Sequence, residues 1–315
     1  MLDDLVAVEP AETTIEQRAT DRAEHVAAHD RSDRPDVIGQ DGAVFVDVSL
    51  STIGITPSML AVAASAAEES GFDGVWVYDH LSGATFGGPG ALDVWSALAI
   101  VTAATRRVGV GPLVVNVPAR HPAHVAVAAA TAQAMSGGRL RLGLGAGAGP
   151  GDRFATELEM LGLPMLSAAE RRARVADAVG YLRALWSGAP SYEGTHYRLD
   201  GARAVRAPLP VPPIVVGANG RKMAAVAGAA ADGVNVHDWQ EDLTGVVAIA
   251  KERAAARGAP AFEASVECRF EPEWWDRGSA AHDRVAAAGV ERVVLRWSPA
   301  VGLGAFDEAA RHLSG

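Results

Sequence analysis

From residue 44 onward one unit recurs eight times: a short run rich in β-branched residues, a loop, and an Ala-rich stretch with helical spacing. That alternation constrains the fold more tightly than any composition statistic. The first run, residues 44–50, leads to Thr56-Pro57, a cap with proline in the first turn, and a helix reaching Ser70-Gly71. Strand 74–78 follows, then a Gly-rich loop over 82–90 and a helix over 92–105. Strand 108–115 is followed by a helix starting near His121-Pro122 and ending at Ser136-Gly137-Gly138. The remaining pairs are strand 139–144 with helix 167–186 after a long insertion, 213–217 with 221–231, 233–236 with 243–257, 262–270 with 280–288, and 291–297 with 305–313. Residues 192–199 read as a small hairpin before the fifth strand. Eight strand–helix units in an α/β chain of this length predict a closed (β/α)8 TIM barrel, which typically needs about 250 residues. The runs are near-continuous Val, Ile and Leu, as parallel strands covered by helices should be.

Charge separates this body from the segment before it. Residues 1–43 carry 11 acids against 4 arginines, a net of −7 out of −10, which leaves 27 acids and 24 bases in residues 44–315. The domain division expected is therefore an acidic, flexible N-terminal extension over 1–43, with one short helix around residues 15–29, and a barrel over 44–315. The extension could also dock on a partner subunit. A near-neutral body with lysine only at Lys222 and Lys251 excludes a nucleic-acid surface and a polybasic membrane patch. The single cysteine, Cys268, allows neither an internal disulfide nor a cysteine-based zinc site. Acids stand where a signal peptide has basic residues, and no apolar window is long enough for a membrane span, so a soluble cytoplasmic protein is expected.

In such a barrel the chemistry lies at the carboxyl ends of the strands. There the sequence places Ser49 and Ser51, Asp79-His80, Asn116, the run from Gly145 to Gly151, Ala218-Asn219-Gly220, His237-Asp238, Arg269 and Glu271, and Arg296-Trp297. Asp79-His80 puts two ionisable groups at the mouth of an apolar barrel, either as an acid–base pair or as a loop cap. The glycine run 143–151 fits a dinucleotide fingerprint only loosely, because Gly149-Pro150-Gly151 opens no helix. It reads better as a wall without side chains that a flat ring can approach. Ala218-Asn219-Gly220-Arg221-Lys222 opens a helix directly after a strand, which makes either an anion cradle or an ordinary capped turn. His121 and His124 lack a third ligand nearby, so no metal site is expected. Trp274-Trp275 reads as a substrate lid or as packing.

Several stretches together resemble the bacterial luciferase-like superfamily of flavin- and deazaflavin-dependent barrels. They are Glu69-Ser-Gly-Phe-Asp-Gly-Val-Trp-Val-Tyr-Asp-His80, Arg106-Arg-Val-Gly-Val-Gly-Pro-Leu-Val-Val-Asn116 with Arg120-His-Pro122, and Ser136-Gly-Gly-Arg-Leu-Arg-Leu-Gly-Leu-Gly-Ala-Gly147. The resemblance covers the chain from residue 44 onward and implies a luciferase-like barrel. It implies a ring across the barrel mouth, backed by a bulge at Leu113-Val114 that often contains a non-proline cis peptide. Asn116, Gly145, Ala146 and Gly147 would line the ring, and Ala218, Asn219, Gly220, Arg221 and Lys222 would take the cofactor phosphate.

The Asp-His pair resembles the branch using coenzyme F420, which implies His80 as the proton-transfer residue and Asp79 as a residue that orients or contacts the ring. A glutamate that sugar-phosphate dehydrogenases of the family carry after the fourth strand is replaced by Ala148, which argues against that reaction. The expectation is hydride transfer between F420 and a small organic substrate. The alternatives are a monooxygenase using FMN, and a non-catalytic barrel serving as a binding subunit. A homodimer and a flavin or F420 reductase partner are implied by the family.

Overall fold

Residues 44–276 and 278–313 are described by the computed structural model; the acidic extension and its expected helix lie outside the described residues. Strand β1 (Phe45–Leu50) leads to α1 (Pro57–Glu69), whose N-terminus is capped by Thr56 Oγ1 accepting from the Met59 N–H at 3.2 Å. Then follow β2 (Gly74–Val77), α2 (Val94–Ala104), β3 (Gly109–Pro112), β4 (Val115–Asn116) and α3 (Pro122–Ser136). The next elements are β5 (Leu142–Gly145), a short α4 (Ala155–Met160) and α5 (Ala168–Trp186). The hairpin is present as β6 (Ser191–Glu193) and β7 (Arg198–Asp200), paired antiparallel. The chain continues through β8 (Ile214–Gly217), α6 (Arg221–Ala230), β9 (Gly233–His237), α7 (Leu243–Ala256), β10 (Glu263–Arg269), α8 (Ala280–Ala287), β11 (Arg292–Trp297) and α9 (Gly304–Leu313).

All neighbouring strands of the main sheet are parallel, in the order β3-β2-β1-β11-β10-β9-β8-β5-β4. β3 and β4 are two halves of one stave, interrupted at the cis peptide Leu113–Val114. A bridge between Val110 and Leu140 joins that stave's first half to the β5 side and closes the barrel. Eight staves result, as the alternation predicts. The alternation alone runs the third strand unbroken through residues 108–115, whereas the resemblance expects a bulge at Leu113-Val114. The structure bends it, because β3 pairs with β2 while β4 pairs with β5.

The outward-facing strand residues, among them Val46, Val48, Leu50, Val75 and Val77, join the helices in one large apolar cluster. The interior of the barrel is different. A small apolar layer of Trp76, Leu113, Val215 and Val294 lies there. On one side of it is a charged group in which Asp47, 0% exposed, accepts from Arg292 Nη1 at 2.5 Å and from Trp76 Nε1 at 2.7 Å. Arg292 Nε also donates to Glu263 Oε1 at 2.8 Å, and Arg141 is bound to the same carboxylate. Burial raises the Asp47 pKa, with Arg292 acting against it, while Asp47 and Glu263 hold Arg292 fully protonated despite its own burial. β1, β10 and β11 therefore alternate apolar residues outward with polar ones inward and are not continuous aliphatic runs.

Glycines of the fourth run have a local cause. A Cβ at Gly145 would stand 2.2 Å from Val114 Cγ2, and one at Gly143 only 2.2 Å from Pro112 O. The glycines therefore make room for the bulge itself, with Val114 lying against Gly145. Gly145→Ala is expected to cost about 1–3 kcal/mol, and Val114→Ala in the same chain to restore most of that loss. Urea unfolding of the two variants checks it.

Candidate functional site

The carboxyl ends of the staves open into one cavity of about 1340 Å³. Every residue singled out for the cofactor or the chemistry borders it: Asp79, His80, Leu113, Val114, Asn116, Gly145 to Gly147, and Ala218 to Lys222. They come from the ends of β2, the broken third stave, β5 and β8, so sequence positions up to about 140 residues apart meet at one mouth.

His80 lies just beyond β2. Its Nδ1 is 2.7 Å from Glu157 Oε1, and Glu157 Oε2 accepts the Leu81 N–H at 2.9 Å. Glu157 comes from α4 in the insertion after β5, and its side chain is almost fully buried, against 22% exposure for His80. Phe86 and Phe154 flank the imidazole, with ring centroids at 5.1 and 5.7 Å. A carboxylate at Nδ1 favours the tautomer with the proton on that nitrogen, so Nε2 is the nitrogen left for a ligand.

Asp79 is placed differently from its neighbour. Its carboxylate is fully buried and accepts from Arg120 Nε at 2.8 Å, Arg120 Nη2 at 2.7 Å and the Asn116 N–H at 2.9 Å. Those bonds raise the Arg120 pKa and pin the backbone of Asn116 at the bulge. Asn116 Oδ1 is buried beside the cavity with no donor from the described residues. Flavin-type rings carry an imide N–H that such an acceptor satisfies.

The phosphate end also fits. Gly220 precedes α6 with φ of 142°, in the region that favours glycine, and it provides no side chain to cap the helix. The first N–H groups of α6 are thereby left for an anion. Arg221 is tied to Asp242 at 2.8 and 2.5 Å, so Lys222 is the cation of this turn that no carboxylate holds among the described residues. Eight basic side chains border the cavity (Arg153, Arg171, Arg172, Arg221, Lys222, Arg269, Arg284 and Arg296) against five acidic ones, Asp79, Asp152, Glu157, Asp238 and Glu267. The acidic net charge of the chain thus conceals a basic mouth.

Sequence reasoning missed Glu157, Phe86 and Phe154, which arrive on insertions without a motif of their own. His237 and Arg296 were placed at strand ends without a role, and Glu267 was seen only as part of a strand. His121 caps α3, with Nδ1 accepting the Ala123 N–H at 3.2 Å, and packs on Tyr181 and Tyr197. Trp274 is buried and Trp275 stacks on His312 at 4.8 Å, which is packing away from the cavity. Among the described residues no group of three His, Cys, Asp or Glu is placed to hold a metal ion, and no helix is long and apolar enough to cross a membrane.

Comparison with known proteins gives a consistent pattern. Residues 43–310 match the family model described as luciferase-like monooxygenase. An F420-dependent glucose-6-phosphate dehydrogenase from Nakamurella multipartita is 38% identical over 179 residues, covering 56% of this chain and 51% of that protein. An F420-dependent hydroxymycolic acid dehydrogenase from Mycobacterium tuberculosis is 34% identical over 190 residues, covering 60% and 51% respectively. The chain thus spans about half the length of the curated relatives it matches. Among solved structures, an F420-dependent secondary alcohol dehydrogenase in complex with an F420-acetone adduct superposes with a TM-score of 0.71 at 20% identity, covering 86% of this chain and 99% of that one, which shows a common fold.

Proposed function

The chain belongs to the luciferase-like monooxygenase family, and from that premise we propose that it is an F420-dependent oxidoreductase moving a hydride between the deazaflavin and a small organic substrate. The observation that carries the reading is the His80–Glu157 pair at 2.7 Å, set at the mouth beside the cis Leu113–Val114 bulge. The F420 dependence of the relatives that match about half their own length supports the choice of coenzyme. An intact histidine–carboxylate pair also favours an enzyme over a barrel kept only for binding.

Leu113, Val114, Asn116 and the backbone from Gly145 to Gly147 would hold the ring, and Ala218 to Lys222 its phosphate. Bound there, the deazaflavin supplies a carbon that takes or gives a hydride. His80 exchanges a proton with the substrate through Nε2, while Glu157 fixes its ring and offsets the imidazolium charge. Asp79 acts through Arg120 and Asn116 to hold the shape of the ring wall. Phe86 and Phe154 exclude water around His80. A homodimer and a reductase that regenerates reduced coenzyme belong to the same reading.

Titrating the purified protein with F420 and with FMN tests it. We expect F420 to bind at least about tenfold more tightly than FMN. Tight FMN binding with no F420 binding would overturn the proposal in favour of an oxygen-using monooxygenase; binding of neither would favour the non-catalytic reading.

A further inference from the structure

Across the cavity from His80 stands a second histidine–carboxylate pair. His237 ends β9, and β9 lies four staves from β2 in either direction around the closed barrel, so the two histidines occupy opposite walls. Glu267 on β10 is 1% exposed. Its Oε1 accepts from Ser49 Oγ at 2.8 Å and from the Tyr78 hydroxyl at 2.7 Å, and its Oε2 lies 2.9 Å from His237 Nδ1. Burial alone would raise the Glu267 pKa; His237, Arg296 and Tyr78 outweigh it and hold the carboxylate below the ordinary glutamate range. The His237–Glu267 contact is at ion-pair distance, while Nδ1 makes no hydrogen bond in this geometry.

Two further groups complete this wall. Trp239, half exposed, stacks on the His237 ring with centroids 3.7 Å apart and planes at 13°. The Arg296 guanidinium lies 5.3 Å from the Trp239 ring and borders the cavity. Among the described residues no carboxylate stands at ion-pair distance from Arg296, although its charge acts on Glu267. The charged or titratable groups facing His237 are Glu267 from β10, Arg296 from β11, Tyr78 beyond β2 and its chain neighbour Asp238. Holding a ring on the wall of Leu113, Asn116 and Gly145 to Gly147 requires none of these residues.

We propose that His237, Trp239 and Arg296 form the substrate subsite, which takes a flat conjugated carbonyl compound with its oxygen on Arg296 and its body against the His237–Trp239 wall. The reaction rests on the oxidoreductase reading; the binding does not. In the reducing direction the hydride brings two electrons to the far carbon of the C=C–C=O system, and the deazaflavin is oxidised by those two electrons. The C=C π pair moves toward the carbonyl, whose oxygen becomes an oxyanion held by Arg296. The enolate carbon then takes a proton from His80 on the opposite wall as the carbonyl re-forms. The substrate gains one hydride and one proton, and His80 recovers its proton from solvent.

The test uses the full chain without coenzyme and benzoate as probe, a carboxylate on a flat ring. Histidine ring NMR and Trp239 indole signals follow the titration. We expect saturable shifts at His237 and Trp239 at millimolar benzoate, weakened about tenfold or more by Arg296→Leu and unchanged by His80→Gln. Trp239→Ala, at an exposed position, gives a second variant that should weaken binding if Arg296→Leu does not fold. No saturation by about 50 mM benzoate, or equal affinity in Arg296→Leu or in Trp239→Ala, overturns the proposal. Because the sample holds no coenzyme, such a failure leaves the F420 reading untouched, and a failed F420 titration leaves this subsite standing.

Discussion

Replacing His80 with glutamine is expected to lower turnover with F420 by about two to four orders of magnitude, the usual contribution of a placed general acid or base. Coenzyme affinity should stay within about threefold of the parent, because the residues assigned to the ring and phosphate lie on other staves. Glu157→Gln should fall between the two, since a neutral amide still orients the ring at Nδ1 but no longer offsets a positive imidazole. The pattern separates a proton-transfer residue from a wall residue: kcat falls and the dissociation constant does not. Unchanged turnover, or a large loss of F420 affinity, would count against the role given to His80.

The second large effect concerns stability. Arg292 is inside the barrel, 4% exposed, and joins Asp47 on β1 to Glu263 on β10. Arg292→Met leaves the buried Asp47 carboxylate without its ion-pair partner, while the half-buried Glu263 keeps Arg141, and Asp47 already has its pKa raised by burial. The expected loss is about 3–5 kcal/mol in urea unfolding, the range for breaking a buried pair from one side. Most of it should return when Asp47→Asn is added, because the cost comes from stranded charge and not from lost volume. A loss below about 1 kcal/mol in the single variant would show that water reaches this layer.

The eight-stave barrel was legible because its signal is periodic. Strand and helix alternate from residue 44 to the end, and the helix caps at Thr56 and His121 stand in sequence where they stand in space. The third stave was legible only by resemblance: nothing in Val-Gly-Pro-Leu-Val-Val says that pairing passes from β2 to β5 halfway along. The polar interior was visible in Glu263-Ala-Ser-Val-Glu-Cys-Arg269, an alternating strand that a count of apolar residues averages away. In the site, Asp79 and His80 were found as neighbours in sequence, yet they face different partners. One is absorbed by Arg120, and the other is paired with Glu157, 77 residues away. No local pattern announces a contact made by an inserted helix, so Glu157 had no signal to give. Glu267 and His237 were out of reach for the same reason, since adjacent staves bring them together.

The position of bound coenzyme bears most directly on the whole account. A crystal structure of the protein with F420 should place the ring against Leu113, Val114, Asn116 and the backbone of Gly145 to Gly147. The phosphate should lie at the start of α6 by Gly220 to Lys222, with His80 Nε2 facing the open side of the ring. A ring seated instead between Trp239 and Arg296, or a phosphate away from α6, would contradict it.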